Sequence, residues 1–186
     1  MKQMKIKRSA IILSVVVAAI IVFTACSGVA TINPDKLKID KAYKFAANIT
    51  YNDFVFAAEF ERKDADAWEV VLTEPFEVEG IQLTYNGGEL TAVVDGLDNS
   101  RALPDSNAAT HIIKAFENAI NGEGREVVAY GEEIRISSRA GGSAFSYELT
   151  FNKQTLEPIS ISIHERGLKA DFSEVQVSRI AQILFG

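Results

Sequence analysis

The sequence predicts an α+β domain: a strongly curved antiparallel sheet, left open as a half-barrel, with a helix lid on its concave face. Apolar and polar residues alternate in about nine or ten short runs separated by turn residues, which is typical of antiparallel strands. One mid-chain run instead spaces its apolar residues three and four apart, as an amphipathic helix does. A twisted sheet of so many strands tends to curl, and one helix between its halves can cover the concave side.

The first strands precede the helix and are joined by short turns. We predict them at residues 45–51, 54–61, 68–73, 80–85 and 90–94. Pro75 ends the third strand because proline has no amide hydrogen to give to a neighbouring strand. The turn Asn86-Gly87-Gly88 separates two alternating runs and is a strong hairpin signal.

The helix follows a loop at residues 95–106. Its apolar stripe consists of Ala109, Ile112, Ile113, Phe116 and Ile120. Asp105 or Ser106 can cap its start, and Gly122 can end it in a left-handed conformation. The stripe requires a sheet face to cover it.

Alternation returns after the helix. We predict strands at residues 127–129, 134–136, 145–151, 159–163 and 168–173, with a turn at Gly141 and Gly142. The C-terminal stretch 174–184 fits both the strand period and the helical period, so a strand and a helix are both possible predictions there.

The N-terminal residues are arranged in the order that is typical of an export signal, a basic segment followed by an apolar run. The basic segment MKQMKIKR precedes an apolar run at residues 10–23. This run of about fourteen residues is short for a membrane span, which needs roughly twenty. Export is therefore predicted, and an uncleaved N-terminal anchor is the alternative.

The end of this run, Phe23-Thr24-Ala25-Cys26, resembles the bacterial lipobox, at which diacylglycerol is attached to the cysteine before cleavage. The resemblance implies a signal peptide at 1–25, a lipidated tether at 26–40 with a possible helix turn after Pro34, and one domain at 41–186. It also implies anchoring at the extracytoplasmic face of the cell membrane through lipidated Cys26. The alternative is a buried free thiol, because a lone cysteine forms no internal disulfide.

Charge and composition argue against several functions. Removing residues 1–25 takes away four basic residues and changes the formal net charge from −6 to −10, which disfavours nucleic-acid binding. His111 and His164 are predicted to be surface or capping residues. The acidic pairs Glu132/Glu133 and Asp64/Asp66 lie in turns, where solvated charge explains them. We therefore expect no catalytic residues, metal site or cofactor.

Several segments punctuate the predicted sheet in a recognisable order: W-E-V-V-L-T-x-P at 68–75, G-I-x-L-x-Y at 80–85 and T-L-E-P-I-S-I at 155–161. With the lipid anchor, this order resembles the LolA/LolB-like superfamily of lipoprotein carriers, which includes LppX, LprG and RseB. The branch implied is that of anchored lipoproteins of Gram-positive bacteria. The resemblance implies an apolar half-barrel that shelters acyl chains beneath a helix. The lid arginine of LolA has no match here, so its transfer cycle is not carried over.

Large apolar residues on one sheet face and on the helix are the candidate ligand-binding set. They are Phe45, Ile49, Phe56, Phe60, Trp68, Val70, Leu72, Leu83, Tyr85, Phe116, Tyr147, Leu149, Ile161 and Ile163. Such a pocket binds mainly by removing apolar area from water; the alternative is that these side chains form an ordinary core. Two functions follow: a carrier of lipid or acylated ligands, or a non-enzymatic envelope sensor or scaffold that binds a partner protein in the manner of RseB.

Overall fold

The computed structural model describes residues 29–34, 37, 41–93, 101–122, 124–138 and 145–179. They form twelve strands and one long helix. The strands are β1 Ala30–Ile32, β2 Lys41–Tyr51, β3 Phe54–Asp64, β4 Ala67–Glu74, β5 Gln82–Asn86, β6 Glu89–Val93, β7 Arg101–Ala102, β8 Arg125–Tyr130, β9 Glu133–Ser138, β10 Glu148–Asn152, β11 Pro158–Ile163 and β12 Leu168–Arg179, and the helix is α1 Ala108–Asn121. The predicted signal peptide, Cys26 and the turn at Gly141 and Gly142 lie outside the described residues.

All twelve strands belong to one antiparallel sheet. Their order is β1-β8-β9-β10-β11-β12-β2-β3-β4-β5-β6-β7, so the sheet is open, with β1 at one end and β7 at the other. The chain builds it as two meanders, β2–β7 before the helix and β8–β12 after it. The pairing of β12 with β2 joins the two meanders, for example at Ala170 with Ile49. The predicted open antiparallel sheet with one helix is confirmed.

The sheet curves around α1, as the contacts of one ring demonstrate. The centroid of Phe116 lies 5.3 Å from that of Trp68 on β4 and 5.8 Å from that of Phe151 on β10. These strands are five steps apart in the sheet, which is about 24 Å when flat. A flat sheet cannot bring both rings onto Phe116. The helix therefore lies on the concave face, and the core fills the space between them.

One predicted strand end and one predicted turn are confirmed. β4 ends at Glu74, directly before Pro75, and the Asn86-Gly87-Gly88 turn joins β5 to β6. Gly87 and Gly88 have φ angles of 57° and 99°, a region that favours glycine over residues with a Cβ atom. This pair of glycines explains why the hairpin was predictable from local sequence.

One part of the predicted tether belongs to the sheet. Ala30–Ile32 forms β1 and pairs with β8, Ala30 opposite Ala129 and Ile32 opposite Val127. Three residues are too few to display alternation, so no sequence signal marked this strand within the predicted tether at 26–40. After β1, Leu37 N–H donates to Pro34 O at 3.1 Å, a single turn at the predicted position.

The caps of α1 differ from the prediction. Asn107 is the N-cap, and its side chain accepts from Thr110 N–H at 2.7 Å, so neither Asp105 nor Ser106 has this role. Gly122 ends the helix in an extended conformation with φ −73°, not a left-handed one. A Cβ atom at Gly122 would lie 2.4 Å from the carbonyl oxygen of Asn118. Close approach of the backbone, rather than a positive φ, explains this glycine.

The C-terminal ambiguity is resolved in favour of a strand as far as the description extends. β12 runs from Leu168 to Arg179 and keeps pairing with β2 beyond an irregularity between Ser173 and Gln176. Residues 180–186 lie outside the described part. The short strand β7 lies within the predicted 95–106 loop, against β6.

Candidate functional site

An apolar groove lies beside the N-terminal end of α1. Its volume is about 300 Å³. It is lined by Phe56, Leu72, Ile81, Leu83, Ala92, Leu103, Asn107, Ala108 and Ala109. These residues come from β3 to β6, from the segment that leads into the helix, and from the first helical turn. A groove of this volume and lining can accept an apolar ligand.

Small side chains leave this space open. Ala108 and Ala109 present only methyl groups at the start of α1, and Ala92 on β6 is another alanine of the lining. Farther along the helix, the large ring of Phe116 stacks on Phe45 with centroids 5.4 Å apart. The groove therefore lies where the helix carries no large side chain to fill the concave face.

Asn107 is the one polar residue of the lining, and its side chain is already engaged. Its Oδ1 accepts from Thr110 N–H, and its Nδ2 donates to Pro104 O at 2.6 Å and to Thr110 Oγ1 at 2.9 Å. These bonds cap the helix. The groove thus offers apolar contact rather than an uncommitted polar group.

The fourteen predicted ligand-binding residues divide into two groups. Phe56, Leu72 and Leu83 line the groove. The other eleven are buried in the core packed around α1: Phe45, Ile49, Phe60, Trp68, Val70, Tyr85, Phe116, Tyr147, Leu149, Ile161 and Ile163. The structure thus brings all fourteen to the helix side of the sheet, but only three to the groove.

Several lining residues were missing from that prediction. Ala92, Ala108 and Ala109 are too small to be selected by size, although Ala109 belongs to the predicted apolar stripe, and Leu103 lay in a predicted loop. Ile81 lies two positions before Leu83, so the alternation places both on the same face. Ile81 is therefore the lining residue that the sequence pattern could have identified. Small residues at inward-facing positions are the sequence signal that indicates such a groove.

A buried ion pair fixes the C-terminal half of α1 to the sheet. Arg62 Nε donates to Glu117 Oε1 at 2.6 Å and Arg62 Nη2 donates to Oε2 at 3.0 Å, a two-pronged geometry. Trp68 Nε1–H donates to the same Oε1 at 2.8 Å. Both partners of the ion pair are buried. Helix, β3 and β4 are therefore held together by charged hydrogen bonds.

Sequence reasoning missed this pair, although a signal existed. Arg62 continues the inward-facing alternation of Ala58 and Phe60 on β3, so a charge is in phase with the buried face. A buried charge requires a partner, and Glu117 follows Phe116 on the helix. The two residues are 55 positions apart in the chain, so no local pattern connects them.

Arg125 binds carbonyl groups at the C-terminal end of α1. Its Nη1 donates to Ala119 O and Ile120 O, and its Nη2 donates to Pro34 O at 2.9 Å and Leu37 O at 3.1 Å. A cation at a helix C-terminus is favourable because the last carbonyls lack helical partners. Arg125 thereby connects α1 to the segment that follows β1.

The two histidines occupy different environments. His164 is exposed beside Ser162, as predicted. His111 is buried, so the prediction of a surface or capping residue was wrong; its ring packs against Phe145, and its Nδ1–H donates to Asn107 O at 2.7 Å. Burial, with a smaller effect of nearby cations, lowers the pKa of His111.

Neither a group of metal ligands nor a membrane-spanning helix occurs among the described residues. Within the described ranges, no group of three or more His, Cys, Asp or Glu side chains is arranged to hold a metal ion. Among those residues, no helix has both the length and the apolar character needed to cross a membrane. Each buried nitrogen and oxygen atom of their side chains has a hydrogen-bond partner.

Comparison with known proteins gives matches in structure alone. No family model matches the chain, and no curated protein matches it. A LolA superfamily protein of Nitrosomonas europaea matches with TM-score 0.42 and 12% identity, over 77% of this chain and 89% of the other. An uncharacterized conserved protein of Thermus thermophilus matches with TM-score 0.45 and 12% identity, over 76% and 82%. A DUF1329 family protein of Desulfovibrio piger matches with TM-score 0.39 and 12% identity, over 74% and 85%. With scores and identities this low, membership of the LolA/LolB-like superfamily stays a prediction.

Proposed function

We propose that this protein is a membrane-anchored lipoprotein that binds an acyl chain of a lipid or acylated ligand in the groove beside α1. The observation that carries the proposal is the groove itself, an opening of about 300 Å³ with an apolar lining. Its one polar side chain is occupied in capping the helix. A hydrocarbon chain is the ligand that such a surface favours.

The size of the groove limits the ligand. A methylene group occupies about as much space as a water molecule, roughly 30 Å³, so about ten groups fit. Complete burial of each contributes about 0.8 kcal/mol, so about 8 kcal/mol is the upper limit for this open groove, before the cost of ordering the chain. We therefore expect one acyl chain, or one end of a longer chain, rather than two complete chains side by side.

The proposed anchor is Cys26, carrying diacylglycerol and further acyl groups such as palmitate, on the extracytoplasmic face of the cell membrane. Ala30 already pairs with β8 and lies only four positions after Cys26. That length of chain spans at most about 14 Å. The domain would therefore lie close to the bilayer from which it takes or to which it delivers a lipid.

Membership of the LolA/LolB-like superfamily, in its anchored Gram-positive branch, is part of the same proposal. It is supported by the predicted lipobox and by the agreement between the open sheet with its concave-face helix and the architecture that the resemblance implies. A non-enzymatic role also belongs to the proposal.

Photolabelling tests the groove. The processed protein, in phosphatidylcholine nanodiscs, is exposed to a diazirine-bearing fatty acid and the labelled peptides are identified. We expect label on peptides that carry Ile81, Leu83 or Leu103. Ala92→Phe fills the groove and should remove most of this label, whereas Ala57→Phe, on the other face of the sheet, should not. Label spread evenly over the chain, or unchanged in Ala92→Phe, would refute acyl binding in the groove.

Substitution of the cysteine tests the anchor separately. Cys26→Ala should release the domain from the membrane fraction while its photolabelling stays unchanged, because the cysteine is not part of the groove. Ser27→Ala is the matched control and should remain anchored. Retention of Cys26→Ala in the membrane would point to the uncleaved N-terminal anchor instead.

The second candidate is an envelope sensor or scaffold that binds a partner protein. It is favoured by the packing of the core, since eleven of the fourteen predicted ligand-binding residues are buried around α1. A native mass spectrum of the protein extracted from its membrane separates the two functions. A bound lipid without protein supports the carrier, and a stoichiometric protein without lipid supports the sensor.

A further inference from the structure

Three large apolar side chains are exposed at one end of the sheet, and we call them the tip patch: Phe54, Val55 and Phe76. Their exposed fractions are 73%, 71% and 84%. Single exposed apolar residues are common on protein surfaces, but a group that includes two phenylalanines marks an interaction surface. Aromatic residues are also enriched in protein interfaces.

The sheet register places these residues at the same end of two neighbouring strands. Ala57 on β3 pairs with Glu74 on β4. Val55 and Phe76 each lie two residues beyond this pair. Phe54, the first residue of β3, precedes Val55, so its side chain is on the opposite face of the strand end. The patch therefore spans a hairpin turn and the adjoining loop that leads to β5.

Acidic residues surround the patch in both segments. Asp53 precedes Phe54, and Glu74, Glu77 and Glu79 flank Phe76. Residues 52–56 and 73–81 contain no lysine or arginine. Among the residues that the structure describes, none of these four carboxylates takes part in an ion pair. The two segments that carry the patch are thus apolar and acidic, and the exposed Lys169 on β12 lies two strands from Val55 in the sheet register.

We propose that the tip patch docks a partner protein whose surface presents an apolar socket ringed by lysine or arginine. Phe76, the most exposed of the three, enters the socket, and Glu74, Glu77 and Glu79 face the basic rim. Complementary charge of this kind selects the partner and accelerates its association, while the desolvated aromatic side chain supplies most of the affinity.

The charges argue against two other occupants. The anionic surface of a bilayer repels four clustered carboxylates. A second copy of the chain is repelled too, because the processed chain carries a formal net charge of −10 once four basic residues leave with residues 1–25. A basic protein surface is the occupant that these carboxylates attract.

The proposal does not depend on acyl binding. Phe56 and Ile81 belong to the same two segments, 52–56 and 73–81, and line the groove. A partner bound to the tip patch would therefore lie beside the groove opening. The patch itself consists of other residues. The tip patch supplies the sensor or scaffold function with a docking surface and a class of partner. Acyl binding in the groove and docking at the tip patch can each be lost without the other.

Cross-linking in intact host cells tests the proposal. The probe is p-benzoylphenylalanine at position 76 of the full chain, activated by light, with the cross-linked peptide identified by mass spectrometry. We expect one protein partner, joined through a segment in which lysine or arginine flanks apolar residues. The probe at position 159, an exposed isoleucine on β11, is the matched control and should not capture that partner.

Charge variants examine the acidic residues. Glu77→Gln combined with Glu79→Gln should reduce the cross-linked product roughly tenfold. Glu126→Gln combined with Glu89→Gln removes two exposed carboxylates elsewhere and should leave the product unchanged. Phe76→Ser should abolish copurification of the same partner without changing the melting temperature, because the side chain is exposed.

Each other result overturns the proposal. A cross-link to lipid would assign the patch to the bilayer, and a cross-link to the same chain would assign it to self-association. The absence of any product, an equal product from position 159, or a product that does not respond to the charge variants would mean that the tip patch is not this docking site.

Discussion

The two ends of α1 meet the concave face in different ways. At the C-terminal end, Phe116 packs against rings from both halves of the sheet, and Glu117 forms a buried ion pair with Arg62. At the N-terminal end, Ala108 and Ala109 leave an open groove. The comparison indicates a division of roles: one end secures the helix to the sheet, and the other leaves space for a ligand.

The largest expected effect comes from breaking the secured end. Glu117→Ala leaves the Arg62 guanidinium buried without its carboxylate, and we expect the free energy of unfolding to fall by about 3–5 kcal/mol. Urea denaturation followed by Trp68 fluorescence measures it. Lys114→Ala, which breaks the more exposed pair with Asp105, should cost less than about 1 kcal/mol.

A paired replacement sharpens this result. Arg62→Met combined with Glu117→Leu removes both charges together and should recover much of the lost stability, because no charge is then left buried. If Glu117→Ala is no more harmful than Lys114→Ala, the ion pair does not secure the helix, and the contrast between the two helix ends disappears.

Enlarging an alanine at each end makes the most direct comparison. Ala119 is fully buried in the core, so Ala119→Leu should overpack it and lower the free energy of unfolding by about 1–3 kcal/mol. Ala109→Leu extends into the groove, so we expect a change below about 1 kcal/mol and a loss of fatty-acid photolabelling. Equal destabilisation by the two substitutions would show that the N-terminal end is as filled as the C-terminal end.

The smallest expected effect concerns His111 in the first part of α1. Burial, with a lesser effect of Arg166 and Lys114 and an opposing one of Asp105, lowers its pKa in the folded state below 6.5. The unfolded state therefore binds the proton more readily, and stability should fall as the pH decreases from about 6.5 towards the folded-state pKa. Above pH 6.5 this contribution is constant.

Denaturation curves at several pH values check this. His111→Gln should flatten the fall in stability between pH 6.5 and the folded-state pKa, and the matched His164→Gln, at an exposed site, should keep it. An unchanged slope in His111→Gln would assign the pH dependence to other groups.

Much of the fold was predictable because its signals are local. Alternating residues mark most strands, the glycines of the Asn86-Gly88 turn mark one hairpin, and the stripe through Phe116 marks the helix. Other features depend on residues far apart in sequence. β1 is too short for a pattern, and Arg62 gains its partner only when β3 meets the helix.

The candidate site was less predictable than the fold. Large apolar residues were the natural candidates, and three of them, Phe56, Leu72 and Leu83, line the groove. The rest of the lining includes alanines and Leu103. These residues line a groove only because the side chains around them leave a space unfilled. Periodicity identifies the face of a side chain but not the space in front of it.

The sequence by itself determined where most of the longer strands and α1 lie, and which of their residues face inward, because these properties follow from the roughly 2.0 and 3.6 residue periods of neighbouring side chains. Only the tertiary structure decided that β12 lies beside β2, that β1 lies beside β8, and that the inward face is filled at Phe116 and open at Ala109. The physical reason is that the space left in a core depends on the sizes of side chains from distant parts of the chain that pack together.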